Sequence, residues 1–267
     1  MRQIMNFNTK WAFSKEVDKV PEIMPERWYW VNLPHTWNNI DGQDGDNDYF
    51  RGTAYYAKEL DKNDLPEGEQ YYLEICGANS SATVYANGKE IASHDGGYST
   101  WRVNITDVLT DKTLFVIAVD NGINDRVYPQ TADFTFYGGL YRDVNIICVN
   151  KSHFDLEYYG GPGIMVTPKP TECGGAIFEI ESFVKNADEN FTVQYNIFDE
   201  DGEEVGYAVR PADATKTTIF VPDANLWDFD EPYLYTVVAE LQRRNETYDD
   251  IEVRVGVRSF SCDPQKG

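Results

Sequence analysis

The stretch TVYANGKEIASH (83–94) places Asn87-Gly88 between two strand-like runs. An Asn-Gly pair accepts the positive φ angles that a two-residue hairpin demands, so the segment reads as strand, tight turn, strand. FDEDGEEVGYAV (198–209) repeats the arrangement around Asp201-Gly202. Alternation extends the reading. FTVQYNIF (191–198) sets Phe191, Val193, Tyr195 and Ile197 against Thr192, Gln194 and Asn196, and IEVRVGVRSF (251–260) aligns Ile251, Val253, Val255 and Val257 against Glu252, Arg254 and Arg258. A period of two marks half-buried strands. TLFVIAV (113–119) is apolar on both faces, as in a strand sandwiched inside a core. The one tempting helix, Ser14 to Val20, is cut short by Pro21 and Pro25. The chain is therefore expected to be all-β.

With 267 residues there is room for one large domain or two ordinary ones. After DVNIICV (143–149) the texture changes to NKSHFDLEYYGGPG (150–163), and a fresh set of strands follows. A boundary near residue 151 gives domains of 1–150 and 151–267, the second close in size to an immunoglobulin-like sandwich.

The 45 acidic and 23 basic residues give a net charge of −22. That argues against nucleic acid and anionic membrane, since phosphate binding needs clustered cations. No apolar run reaches membrane-spanning length. The first twenty residues carry charges where a secretory signal needs an apolar stretch, which points to the cytoplasm unless a signal has been removed. Cys76, Cys148, Cys173 and Cys262 are scattered, and His35, His94 and His153 add no close ligand pair, so a zinc site is not expected. Most of the four thiols read as buried and free.

Six motifs then line up in order: LPHTWN (33–38) leading into DGQDGDNDYFRGTAYYAKEL (41–60), VYANGKEIASHDGGYSTWRVNITDVL (84–109), DFTFYGGLYRDV (133–144), NLWDFDEPYLYTVVAEL (225–241) and VGVRSF (255–260). Together they resemble the N-terminal portion of family 2 glycoside hydrolases, the β-galactosidase and β-glucuronidase group, and PHTWN…DGQDG…NDYFRG resembles the galactosidases more. The resemblance implies a jelly-roll, galactose-binding-like domain, then an immunoglobulin-like sandwich. In the family a (β/α)8 barrel follows VGVRSF. It also implies retaining hydrolysis of a β-galactoside by a parent enzyme. Retention needs two carboxylates about 5 Å apart. The family carries both on the barrel, and no segment here resembles those barrel motifs. The chain alone is expected to be inactive, with the barrel as its missing partner and self-association possible through the early domains.

The same resemblance points to site residues. Asp133 matches an aspartate that, in the galactosidases, reaches the active site near the sugar hydroxyls and a bound sodium. A carboxylate accepts two hydroxyl hydrogen bonds, and charge-assisted bonds are the stronger kind. Asn47 and Asp48 are the plausible contributors from the 41–52 loop. No cofactor is expected in this chain; sodium or magnesium is possible in the parent. Asp44, Asp46 and Asp48 mimic the start of an EF-hand, but Tyr49 and Tyr55 stand where that loop needs glycine and glutamate. Arg142 and Asp143 read as an ion pair or a loop support. Trp37, Tyr98 and Trp101 could stack on sugar faces or simply pack, and Trp227 and Tyr235 read as packing residues. A stand-alone carbohydrate-binding module or adhesin, and a structural pair of sandwiches, remain the alternatives.

Overall fold

The computed structural model describes residues 1–17, 19–39, 41, 49–132 and 135–265. Among these, every regular element is a β-strand apart from two 3-10 turns, Lys62–Asp64 and Thr106–Val108. Among the described residues no helix is long and apolar enough to cross a membrane. The chain divides into two units, Gln3–Cys148 and Val149–Gly267, and Met1–Arg2 goes with the second.

The first unit carries β1 (Gln3–Asn6), β2 (Trp11–Ser14), β3 (Tyr29–Val31), β4 (Thr53–Asp61), β5 (Gln70–Ile75), β6 (Ser81–Ala86), β7 (Lys89–Asp95), β8 (Trp101–Asn104), β9 (Lys112–Asp120) and β10 (Val144–Val149). They form a four-stranded sheet, β1-β10-β5-β8, and a six-stranded sheet, β3-β2-β4-β9-β6-β7. Strand β9 explains the doubly apolar TLFVIAV. Phe115, Ile117 and Val119 join the core shared with Leu73, Ile75, Val144 and Ile146 of the other sheet. Leu114 and Val116 face the opposite way, against Ala12, Ala57 and the partly buried Val20, Met24 and Trp28. Val20, Met24 and Trp28 of the proline-interrupted stretch thus cover the outer face. The β6–β7 hairpin turns at Asn87 and Gly88, both at positive φ, and the Asn87 carboxamide accepts the Leu114 N–H at 2.8 Å.

The second unit carries β11 (His153–Phe154), β12 (Ile164–Pro170), β13 (Ala176–Ser182), β14 (Val184–Lys185), β15 (Phe191–Phe198), β16 (Glu204–Pro211), β17 (Lys216–Val221), β18 (Tyr235–Arg243) and β19 (Glu246–Val255). Two sheets, β12-β13-β17 and β16-β15-β18-β19, enclose the core, and β11-β14 forms a small ribbon. The alternation in FTVQYNIF buries Phe191, Val193, Tyr195 and Ile197 in that core. Asp249 is fully buried, and Arg2 grips both of its oxygens at 3.1 and 2.8 Å. The same carboxylate accepts the Phe154 N–H at 2.8 Å. This bidentate pair is why the first two residues belong with the second unit.

Three expectations need correction. Asp201-Gly202 lies in a longer loop, because the Asp199 carboxylate accepts the N–H groups of Asp201 and Glu203 and its own N–H bonds to Glu203 O. The strand expected through VGVRSF stops at Val255. Beyond it Val257 O accepts the Trp227 N–H, and Gly256 lies so close to the Trp227 ring that a Cβ there would sit 2.8 Å from it. Only Cys148 of the four free thiols is buried; Cys76 is half-buried, and Cys173 and Cys262 are exposed in turn and terminal segments. Burial, aided by Glu74, pushes the Cys76 thiol up to about 11.

Two measurements check this account. Ile117→Ala should lower stability in urea unfolding by about 2–5 kcal/mol, the cost of a deleted core side chain plus its cavity. A loss below about 1 kcal/mol would contradict the buried central strand. Burial, the leading cause in each case, holds His35, His94 and His153 below the ordinary histidine value of 6.5. The neutral rings are favoured in the fold, so their contribution is complete above that value and is lost as pH falls through it and through the folded values. The urea midpoint should be flat from about pH 7 to 8 and fall towards about pH 5; a midpoint rising on acidification would contradict the burial.

Candidate functional site

At the end of β9 the backbone delivers Asn121, a residue with no exposed surface. Its carboxamide oxygen accepts the Gly52 N–H at 2.9 Å, and its Nδ2 donates to Phe50 O at 3.0 Å and to Asn38 Oδ1 at 3.2 Å. Asn38 is 1% exposed. Its Oδ1 also accepts the Gly138 N–H at 2.7 Å, while its Nδ2 donates to Asp41 Oδ2 at 2.8 Å and to Phe50 O at 3.2 Å. Asp41 Oδ2 in turn accepts the Phe50 N–H at 2.9 Å. Thr36 Oγ1 donates to Gly138 O at 2.8 Å, and Arg51 Nη2 donates to Gln130 O at 3.1 Å. Residues from five separate stretches of the chain meet in this polar knot. Burying two carboxamides is tolerable because their donors and acceptors are used.

The knot sits against aromatic packing. Trp37 is buried, lying 6.2 Å from the Phe13 ring in a stacked arrangement and 6.1 Å edge-on from Phe50. Gly138 passes directly over the indole, where a Cβ would fall 2.4 Å from the Trp37 ring and 2.8 Å from Asn121 Nδ2. Gly139 has φ near +121° and approaches His35 O. Both glycines of DFTFYGGLYRDV are thus required, one for space and one for conformation. Beside the knot, an open cavity of about 750 Å³ has Ile123, Tyr128 and Gln130 in its wall.

Asp133, Asn47 and Asp48 lie outside the described residues, as do Asp44 and Asp46. What the structure describes is the frame around them: Asp41 and Phe50 on one segment, Gln130 and Gly138 on the other. Among the described residues no group of three or more His, Cys, Asp or Glu side chains comes together to hold a metal ion. Trp37 and Trp101 are buried packing residues, and His94 stacks on the Trp101 ring at 5.1 Å. Tyr98 is 53% exposed and stacks on Tyr128 at 5.2 Å. Arg142 and Asp143 do not pair with each other. Arg142 donates to Tyr98 O at 3.2 Å, and Asp143 accepts from Asn8 Nδ2 at 2.7 Å, so each braces a different loop. Tyr235 is buried, with its hydroxyl accepting the Asn225 N–H, whereas Trp227 is partly exposed under the Arg258 guanidinium. Asn38, Asp41 and Asn121 are not singled out by sequence patterning. The available signal was an asparagine placed directly after a strand apolar on both faces.

Two family models match the chain in succession. The galactose-binding domain-like model of glycosyl hydrolase family 2 covers residues 45–154, and the glycosyl hydrolases family 2 model covers residues 164–258. The chain belongs to glycosyl hydrolase family 2. It carries the family's N-terminal galactose-binding-like and immunoglobulin-like β domains, which are non-catalytic. A solved FMN-binding β-glucuronidase from Faecalibacterium prausnitzii L2-6 is 51% identical with a TM-score of 0.89, covering 100% of this chain and 41% of its own. A β-glucuronidase of Bacteroides fragilis is 29% identical across 89% of this chain, and the β-galactosidase BoGH2A of Bacteroides ovatus is 27% identical across 100%. This family 2 chain spans 36% and 33% of the lengths of those two curated relatives.

Gly138→Ala offers a direct check on the close packing of this family 2 site. The added methyl must displace the Trp37 ring, so the variant should lose about 1–3 kcal/mol in denaturant unfolding and shift its tryptophan emission. Unchanged stability and emission would show that the glycine is not held against the indole.

Proposed function

We propose that this chain forms the non-catalytic β portion of a retaining family 2 glycosidase acting on β-glucuronides. Its first unit completes the sugar pocket of a (β/α)8 barrel that supplies both catalytic carboxylates. On this reading Asp133, Asn47 and Asp48 contact the sugar, and the 41–52 and 122–138 loops shape the pocket mouth. The consecutive family matches carry the proposal. The 51% identical relative bears the name β-glucuronidase, which favours glucuronides over the galactosides suggested by PHTWN and NDYFRG. A galactoside substrate is the second reading, favoured by the B. ovatus relative.

The second unit offers a further supporting observation. Phe229 and Phe260 are 89% and 88% exposed and line one open cavity with Trp227 and Arg258. Clustered exposed aromatics of this kind mark an interaction surface, which suits packing against further polypeptide of the same enzyme.

The 267-residue chain should fold yet release no nitrophenol from a nitrophenyl β-glucuronide. A polypeptide joining it to its own catalytic barrel should hydrolyse that substrate with retained anomeric configuration. Turnover by the 267-residue chain alone would overturn the proposal, and faster turnover of the galactoside by the longer polypeptide would select the second reading.

A further inference from the structure

We propose that the second unit carries a binding site for a small organic carboxylate, built on Arg254 and Arg258. Both side chains belong to one open cavity of about 370 Å³, whose wall also includes Trp227, Val166, Pro168 and Leu234. A cleft of this size takes a small ring-bearing molecule. Phe229 and Phe260 line a neighbouring cavity, which shares Trp227 and Arg258 with this one.

The two guanidiniums are not spent on acids. The chain has 45 acidic residues against 23 basic ones, so carboxylates are in excess. Arg2, Arg102, Arg126 and Arg243 each pair with one. Among the described residues neither the Arg254 nor the Arg258 side chain pairs with a carboxylate. The acid nearest to Trp227 in sequence, Asp228, accepts the Phe229 N–H instead.

Both arginines start from fixed backbone. Arg254 lies one residue before the end of β19, opposite Thr236 of β18. Arg258 is held over the Trp227 ring, its guanidinium carbon 4.7 Å from the centroid. The indole is fixed in turn, because the Trp227 backbone N–H bonds to Val257 O at 2.9 Å and Gly256 packs against the ring. A guanidinium ordered by an aromatic face keeps its N–H donors for an oxyanion.

The wall narrows the ligand class. Val166, Pro168 and Leu234 offer apolar surface beside the two charges. A matching ligand has a planar anionic head for the guanidiniums and a ring for the wall. A carboxylate supplies the head, since its two oxygens fit the arginine fork. Free phosphate meets only the charge, and a neutral sugar meets only the wall. This assignment does not depend on which glycoside the parent enzyme cleaves.

Calorimetric titration of the 267-residue chain tests the site with three probes: glucuronate, glucose and inorganic phosphate. Glucuronate should bind saturably in the millimolar range, phosphate several-fold more weakly, and glucose not at all. Arg258→Ala and Arg254→Ala should each weaken glucuronate about tenfold, the scale of lost charge-assisted hydrogen bonds. Arg258→Lys keeps the charge without the fork and should also weaken it. Both arginines are exposed, so Tm should hold in every variant. Arg210→Ala removes the same charge from an exposed position on β16 and should leave binding unchanged. No heat with glucuronate, or an equal loss in Arg210→Ala, overturns the site. Phosphate or glucose binding as tightly as glucuronate overturns the ligand class.

Discussion

The arrangement of the first unit depends on one strand being buried on both faces. Strand β9 is paired with β4 on one side and β6 on the other. Its alternating side chains enter two separate apolar clusters. A strand held on four sides has little freedom to shift, and a slip of one residue would exchange its two faces. That rigidity is passed on where the strand ends. The Asp120 carboxylate accepts the Gly122 N–H at 2.7 Å and a hydroxyl hydrogen bond from Thr53. Asn121, between them, is delivered into the polar knot in a fixed orientation. The apolar core thus sets the coordinates of a polar site that packs against its Trp37 edge.

Much of this architecture was legible in the chain. Alternation located β15 and the second half of β19, and Asn87-Gly88 marked a hairpin, because strand faces and tight turns are encoded by residues close in sequence. Asp199 captured two nearby N–H groups and enlarged a loop that Asp201-Gly202 alone suggested would be tight. The end of β19 was set by Trp227, some 29 residues away in sequence from Gly256, and no local pattern could reveal it. Asn38 and Asn121 posed the same difficulty more sharply. They bond across 83 residues, and Asn38 reaches Gly138 across 100. In the sequence they look like ordinary loop asparagines.

The second unit shows a similar long-range dependence. The change of texture after DVNIICV was readable in the sequence. The recruitment of Met1–Arg2 was not, because it rests on a single ion pair between residues 247 apart. Asp249 has no exposed surface, and burying such a charge is costly unless its oxygens are occupied. Arg2 and the Phe154 N–H together occupy them. The family assignment, by comparison, drew on six ordered motifs, and it fixed the lineage more readily than the sugar.

The pinned neck between Asp41 and Phe50 separates two kinds of evolutionary pressure. With its ends joined, the intervening segment can change length at small entropic cost, since loop closure grows only slowly with chain length. Insertions and replacements there need not disturb the β-sandwich beneath. Sequence change can therefore collect between these two residues while the rest of the domain stays under purifying selection.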